Sequence, residues 1–136
     1  MMPAMDAPDA LIERFYEAID GGDVPAIVAF LAEDATVSYP AQGQLPYGGS
    51  WQGPDAIARF LDLHDQAEEI LEFEPDRMAV DAEQVLVRGH FSGRSRITGR
   101  TWTTRWVHAF EVHDGRIHRW EAYFDSDAAI EAHRPR

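Results

Sequence analysis

His108 is the side chain best placed to carry chemistry. It lies between Trp106 and Phe110 in a segment where large apolar residues alternate with polar ones, which predicts a strand whose buried side carries all three rings. Burial lowers the pKa of a histidine towards the neutral imidazole that a general base requires. In a solid core the same ring would only be hydrogen-bonded to a neighbour. The pattern therefore leaves two interpretations, an acid or base in a cavity wall and a packed core residue.

Tyr39 is the second candidate, at the end of a predicted strand stopped by Pro40. Its hydroxyl can polarise a ligand oxygen or simply stay hydrated at a pocket wall. The histidines at 108, 113 and 118 do not make a metal triad, because their odd spacing alternates strand faces. There is no cysteine and no metal-binding, phosphate-cradling or nucleophile-elbow motif. We therefore expect no metal and no cofactor.

Composition narrows the range of partners. The 136 residues fit one domain, residues 1–136, and carry a net charge of −12 with arginine as the only basic type besides histidine. Such an acidic chain repels phosphate backbones and anionic lipid, so nucleic-acid and membrane binding are not expected. The N-terminal residues lack the basic charge of a signal peptide and no apolar run approaches the ~20 residues of a membrane span. A cytoplasmic protein is the expectation.

The elements that position these residues follow from periodicity. Apolar residues at helical spacing predict a first helix that ends at Gly21-Gly22, and Asp23 is expected to cap a second one. A strand over 35–39 precedes a third helix entered through Gly53-Pro54. Later segments predict four strands, at about 70–80, 84–93, 100–112 and 116–124, and then a helix capped by Ser126. The order indicates an α+β fold, a curved mixed or antiparallel sheet with helices packed over its concave face. Residues 1–6 are expected to be loose and 126–136 to form the terminal helix and tail.

The turn at Asp114-Gly115 decides which side chains of the last strand face inward. A two-residue turn would place residue 108 opposite 121 and turn Glu121 inward with Tyr123. A three-residue loop would place 108 opposite 120 and turn Trp120 inward, together with residues 122 and 124. The second arrangement is favoured, because burying a glutamate in place of a tryptophan is costly.

Three stretches of sequence carry a family resemblance: FYEAIDGGDVPAIVAFLAEDATVSYP at 15–40, WQGPDAIARFL at 51–61, and TTRWVHAFEVHDGRIHRWEAYFDSDAAI at 103–130. In order and spacing they resemble the nuclear transport factor 2-like superfamily, which includes ketosteroid isomerases and SnoaL-like polyketide cyclases. The resemblance implies a cone-shaped fold in which the helices and the concave sheet face enclose one pocket. It does not by itself imply a particular function, since this fold hosts many.

Residue by residue, the resemblance argues against the ketosteroid isomerase mechanism. The positions of its general base, its oxyanion tyrosine and its protonated aspartate correspond to Tyr39, Phe15 and His108, while Tyr16 is expected to point elsewhere. SnoaL-like cyclases place an aspartate base where this chain has Asp125, although an acid there can equally support the start of the final helix.

The resulting hypothesis is cofactor-independent acid–base chemistry, of isomerase, cyclase or dehydratase type, on a hydrophobic aromatic or polycyclic carbonyl compound. His108, Tyr39 and Asp125 are the candidate catalytic residues. The alternative is a non-catalytic module that uses the same cavity for a ligand or the outer sheet face for a partner. The expected ligand-binding residues are mostly large rings: Phe15, Trp51, Phe60, His64, Phe91, Trp106, Trp120 and Phe124.

Two further expectations concern the surface. The glycine-rich segment around Tyr47 and Trp51 is predicted to form a mobile lid. By family analogy a homodimer is expected through the outer sheet face, where Val107, Ile117 and Tyr123 lie with Ala109 among charged residues.

Overall fold

Two helices joined by a glycine turn begin the part of the chain that the structure describes, residues 7–135. The structure is a computed structural model. The first helix, α1, spans Pro8–Gly21 and ends where Gly22 adopts a left-handed conformation, φ 68°. The second, α2, spans Val24–Val28, and the Asp23 side chain accepts a hydrogen bond from the Ala26 amide, as expected for its cap. The N-terminal residues 1–6 lie outside the described range.

A six-stranded mixed sheet forms the body of the fold. Its order is β2-β1-β6-β5-β4-β3, and every neighbouring pair is antiparallel except the parallel pair β1–β6. The strands are β1 Leu31–Tyr39, β2 Gly49–Gln52, β3 Glu68–Asp81, β4 Gln84–Ser95, β5 Thr101–His113 and β6 Arg116–Phe124. The α+β class and the four predicted later strands are thus confirmed, each within a few residues.

Two more helices complete the layer that packs on the sheet. The third, α3, spans Pro54–Ala67, and the fourth, α4, spans Ser126–His133. The cap of α4 is Asp125 and not Ser126 as predicted, since the Asp125 carboxylate accepts from the Ala128 amide at 3.1 Å. Within residues 7–135 no helix is both long and apolar enough to cross a bilayer.

The alternation along β4 and β5 divides side chains between the two sheet faces as the sequence predicts. On β5, Trp102, Trp106 and Phe110 are buried on the helix side, whereas Thr103 and Arg105 are exposed on the other. The helices pack on the first face. The aromatic core therefore lies between the sheet and the helices.

The connection between β5 and β6 combines the two-residue turn of the first predicted arrangement with the inward-facing side chains of the second. His113 pairs with Arg116, so Asp114-Gly115 is a two-residue turn, with φ of 55° and 71° as in type I′ hairpins. A β-bulge then makes His118 an extra residue on β6. The extra residue shifts the rest of β6 by one position, so the side chains after it face the opposite side of the sheet from those in a regular hairpin. Residue 108 therefore lies opposite Ala122.

The bulge explains which side chains of β6 are buried. Trp120 is 3% exposed and Ala122 is 4% exposed, so the prediction that these side chains face inward is confirmed. The predicted cause, a three-residue loop, is wrong, because the bulge produces this arrangement. Ile117, before the bulge, is fully buried and cannot belong to the outer apolar patch in which it was expected. The cost of burying a charged side chain selects this parity, and the bulge allows it together with a tight turn.

Deleting His118 is expected to leave the fold intact, because the bulge disappears while the flanking residues keep their cross-strand partners, Ile117 opposite Val112 and Trp120 opposite Phe110. The matched variant His118→Ala keeps the bulge and should lose at most about 1 kcal/mol, mainly the stacking of His118 on His113. Circular dichroism and urea titration measure both effects. Loss of cooperative unfolding in the deletion variant would contradict the assignment of His118 as the extra residue of the bulge.

Candidate functional site

A cavity of about 260 Å³ opens between the α1–α2 turn, α3 and the concave face of the sheet. Its polar lining consists of Tyr39, His64 and His108, with Asp62 and Asp65 also among the lining residues. The remaining wall is apolar apart from Gly22: Ile19, Val24, Ile27, Phe60, Leu61, Ile70, Phe73, Phe91 and Trp120. Two neutral types of polar ring, phenol and imidazole, thus face a largely hydrophobic space.

His108 lies in this wall and is 4% exposed. Its ring centroid is 4.3 Å from that of Trp106 and 5.5 Å from that of Trp120. The Tyr16 hydroxyl lies 2.9 Å from its Nδ1 atom, and this hydrogen bond is buried. Burial lowers the pKa of His108 to about 3, so the imidazole is neutral at physiological pH.

The position of Tyr16 corrects the expectation that this ring points elsewhere. Both Phe15 and Tyr16 are buried, because α1 inserts two adjacent rows of side chains against the sheet. Phe15 contacts Trp120 edge-on with its ring centroid 5.3 Å away and does not line the cavity. Tyr16 reaches His108 instead. Burial raises the pKa of its hydroxyl, which keeps the phenol protonated.

Tyr39 and His64 share the cavity with His108. Tyr39 packs its ring against Phe60, with centroids 4.7 Å apart, and burial raises the pKa of its hydroxyl. His64 projects from α3, and burial, reinforced by the nearby His133, lowers its pKa to about 4. His108 and Tyr39 line the same cavity without a hydrogen bond between them, and the hydrogen-bond partner of His108 is Tyr16.

Asp125 lies apart from these residues. Its side chain is exposed and caps α4, and it is not among the residues that line the cavity. Its backbone amide is held by the Thr104 hydroxyl at 2.9 Å. The structure therefore gives Asp125 the helix-capping position that the sequence offered as the alternative to catalysis.

The expected ligand-binding residues divide into three groups. Phe60, His64, Phe91 and Trp120 line the main cavity. Trp106 and Phe124 line an adjoining recess of about 40 Å³, which shares His108 with the main cavity. Phe15 and Trp51 lie outside both spaces. Phe73, which was not among the expected residues, also lines the cavity and stacks on Trp106 with ring centroids 4.7 Å apart; its inward parity on β3 was the available signal.

Glu68 is a buried carboxylate that the sequence analysis also missed. It is 1% exposed at the start of β3 and accepts hydrogen bonds from Trp102 Nε1 at 2.9 Å and from the Tyr47 hydroxyl at 3.3 Å. Burial raises its pKa, against these hydrogen bonds, which favour the carboxylate. Gly93 leaves room for it, because a Cβ there would lie 2.8 Å from Glu68 Oε2.

The carboxylate also contacts two buried rings, one of them in the predicted lid. His133 is 5% exposed, with Nε2 3.7 Å from Glu68 Oε2 and Nδ1 2.8 Å from the Ala129 carbonyl. Tyr47, expected in a mobile lid, is 1% exposed and bonded to Glu68, while its carbonyl accepts from Trp51 Nε1 at 3.2 Å. This segment is packed into the core and β2, so it does not form a lid.

Within residues 7–135, no cluster of three or more histidine, aspartate and glutamate side chains is arranged to hold a metal ion.

Comparison with known proteins identifies relatives. A family model described as a SnoaL-like domain matches residues 12–120, most of the chain. A search of curated proteins finds no match. The resemblance stated from the sequence is confirmed by this family match.

Solved structures share the fold over nearly the whole chain. An NTF2-like protein from Burkholderia xenovorans LB400 is 28% identical, with a TM-score of 0.86 over 96% of this chain and 98% of that chain. TerC, co-crystallised with polyporic acid, is 23% identical, with a TM-score of 0.77 over 93% and 98%. A candidate polyketide cyclase from Pseudomonas putida KT2440 is 19% identical, with a TM-score of 0.78 over 95% and 99%. The last two similarities concern the fold alone.

The low pKa of His108 predicts acid sensitivity. Between about pH 3 and 6.5 the unfolded chain binds a proton at this residue that the folded chain does not, so the free energy of unfolding falls as pH decreases through that window. In His108→Phe the pH slope between these values should be smaller by about 1.4 kcal/mol per pH unit. Urea titrations at several pH values measure it.

Tyr16→Phe is the matched control for that experiment. It breaks the same hydrogen bond but keeps the buried imidazole, so the slope should stay close to that of the wild type. Parallel pH profiles for the wild type and His108→Phe would contradict the assignment of a neutral, buried His108.

Proposed function

Since the chain belongs to the SnoaL-like domain family, we propose that it binds a small, uncharged, hydrophobic carbonyl compound and performs acid–base chemistry on it. The observation that carries this proposal is His108, a neutral imidazole in the wall of an aromatic cavity, hydrogen-bonded on its far side to Tyr16. The proposed reaction is an isomerisation, a cyclisation or a dehydration. Each of them moves protons at a carbonyl or hydroxyl group.

The wall of the cavity supports an uncharged ligand. Within residues 7–135 no arginine lines it, and both of its histidines are neutral at physiological pH. The charged lining residues are Asp62 and Asp65, both acidic and exposed. A ligand carboxylate or phosphate would therefore lose its hydration without gaining a cation. A neutral ketone or phenol has a much smaller desolvation cost.

The size and surface of the cavity favour a flat ligand. About 260 Å³ lies just below the ~300–1,000 Å³ typical of sites for drug-sized molecules. Phe60, Phe73 and Phe91 offer aromatic faces and edges for contact with a ring system. TerC, which has the same fold, was co-crystallised with polyporic acid, and this is consistent with an organic ligand in such a cavity.

His108 and Tyr39 are the groups proposed to act on the ligand. Both hydrogen-bonding side chains line the same space, and burial keeps Tyr39 protonated, so its hydroxyl can polarise a ligand oxygen. Asp125 was proposed as a second carboxylate, but its capping bond to α4 favours the structural role. The proposed catalytic residues are therefore His108 and Tyr39.

Ligand binding and turnover separate this enzyme from a pure binding module. Naphthyl methyl ketone and related aryl ketones should raise the melting temperature, and an enzyme should convert some member of a wider panel of hydroxy- and keto-aromatics. His108→Ala should reduce turnover by 10²-fold or more while losing at most about tenfold in affinity. Thermal shift, fluorescence quenching and product analysis measure these effects.

His113→Ala is the control, since His113 lies at the far end of β5 and outside the cavity. Binding without turnover in any variant would favour the non-catalytic module. Absence of any ligand-induced stabilisation across the panel would overturn the proposed function itself.

We further propose a homodimer through the outer sheet face. Leu86 lies beside Ala109, and Val107 lies beside Tyr123, so these cross-strand pairs form one patch. Leu86 is 51% exposed and Tyr123 is 55% exposed. Charges of both signs surround it, including Arg105, which suits a self-complementary two-fold contact with a second copy.

Light scattering after size exclusion tests this interface. The wild type should elute at twice the chain mass, and Leu86→Glu should shift it towards the monomer by placing repelling charges across the two-fold axis. Ile97→Glu, an equally exposed position at the β4–β5 turn, is the matched control and should remain dimeric. A monomeric wild type throughout a dilution series would refute the interface.

A further inference from the structure

The hydrogen bond between Tyr16 and His108 determines more than the position of the ring. A neutral imidazole carries its proton on one nitrogen only, and the partner of the other nitrogen decides which. Here the Tyr16 hydroxyl contacts Nδ1 at 2.9 Å in a buried setting. Either the hydroxyl donates to Nδ1, or Nδ1–H donates to the phenol oxygen.

Counting protons separates the two alternatives. His108 Nδ1 is the only hydrogen-bond partner of the Tyr16 hydroxyl among the described residues. If Nδ1 carried the proton, the hydroxyl proton of Tyr16 would have no acceptor among those residues, and an unsatisfied buried donor costs about 1–3 kcal/mol. If the hydroxyl donates to Nδ1, the buried hydroxyl is satisfied and the imidazole proton lies on Nε2; because His108 lines the cavity and Tyr16 does not, water or a ligand can accept that proton's hydrogen bond.

Nothing charged around His108 opposes this assignment. The rings packed on it come from four elements: Tyr16 from α1, Phe73 from β3, Trp106 and Phe110 from β5, and Trp120 from β6, while β4 places Val87 opposite it. Within residues 7–135 burial alone accounts for the lowered pKa of His108, with no contribution from a carboxylate. The ring therefore stays neutral, in agreement with its lowered pKa.

We propose that Tyr16 is a positioning residue that locks His108 in the Nε2–H tautomer, so that His108 acts on the ligand as a neutral hydrogen-bond donor. Nε2 makes no hydrogen bond with any described residue, and His108 lines the cavity. Its complement is an acceptor oxygen, such as a carbonyl or the enolate that forms from it. This assignment rests on the proposed function and chooses between the two roles left open for His108.

The chemical consequence is electrostatic stabilisation without proton transfer by His108. A neutral imidazole N–H strengthens its hydrogen bond as negative charge develops on the ligand oxygen, and a neutral histidine can serve as such an electrophile. No bond to His108 forms or breaks in this role. His108 therefore does not serve as the general base in this state, and the proton that leaves the ligand when an enolate forms passes to a carboxylate of the lining, Asp62 or Asp65, or to water.

Nitrogen NMR of labelled protein tests the tautomer directly, with no ligand and no activity required. At neutral pH, His108 should show a pyrrole-type Nε2 and a pyridine-type, hydrogen-bonded Nδ1. In Tyr16→Phe the Nδ1 resonance should move towards the value of a free lone pair, whereas Tyr123→Phe, at an exposed tyrosine bonded to Glu121, should leave it unchanged. A pyrrole-type Nδ1 or an imidazolium in the wild type would overturn the proposal.

The donor role has a second readout with naphthyl methyl ketone as the probe. Its carbonyl stretching band should shift to lower frequency on binding to the wild type. In His108→Phe, which has no donor at this position, most of that shift should be absent. A bound ketone with an unshifted carbonyl would remove the donor role while leaving the cavity as a binding site. A ketone that does not bind at all would instead count against the proposed function, and the nitrogen spectra would still decide the tautomer.

Discussion

The structure depends on one constraint: helices cover most of the concave face of the sheet, so a polar ring on that face must be paired within the protein or be turned towards the cavity. His108 occupies the middle of that face, between rings of β5 and β6. Its partner is supplied by α1, one residue after a phenylalanine that fills the core. This buried hydrogen bond determines which nitrogen of the imidazole is left for the cavity, while burial keeps the ring neutral.

A second buried polar group meets the same constraint in a different way. Glu68 is surrounded by hydrogen-bond donors from Trp102 and Tyr47 and faces His133 of α4. This cluster joins the start of β3 to the last helix. The ring of Tyr47 lies 4.5 Å from that of His64, so the cluster also supports one wall of the cavity. The fold thus keeps its buried carboxylate behind the wall and neutral rings on it.

The separation of these two groups matters for the chemistry of a SnoaL-like domain. A carboxylate within the cavity would hold a histidine in its charged form, whereas aromatic neighbours favour the neutral one. Because the acidic lining residues Asp62 and Asp65 are exposed, their effect on the interior is screened. The interior remains apolar, and the few hydrogen-bonding groups in it act at full strength on a ligand oxygen.

The sequence by itself determined the elements and the faces of most strands. Alternation on β4 and β5 is a local property, so it assigned His108 to the interior, and glycine and aspartate signals defined the end of α1 and the cap of α2.

The tertiary structure decided the remaining features of the site. The bulge at His118 depends on the balance between a tight turn and the burial of Trp120, which no local pattern records. The partner of His108 depends on how α1 crosses the sheet, and the burial of Glu68 depends on Gly93 of the neighbouring strand. The periodicity of a helix or strand can be read from neighbouring residues in the sequence. The relative placement of these elements depends on packing contacts between residues far apart in the chain, which no local pattern shows.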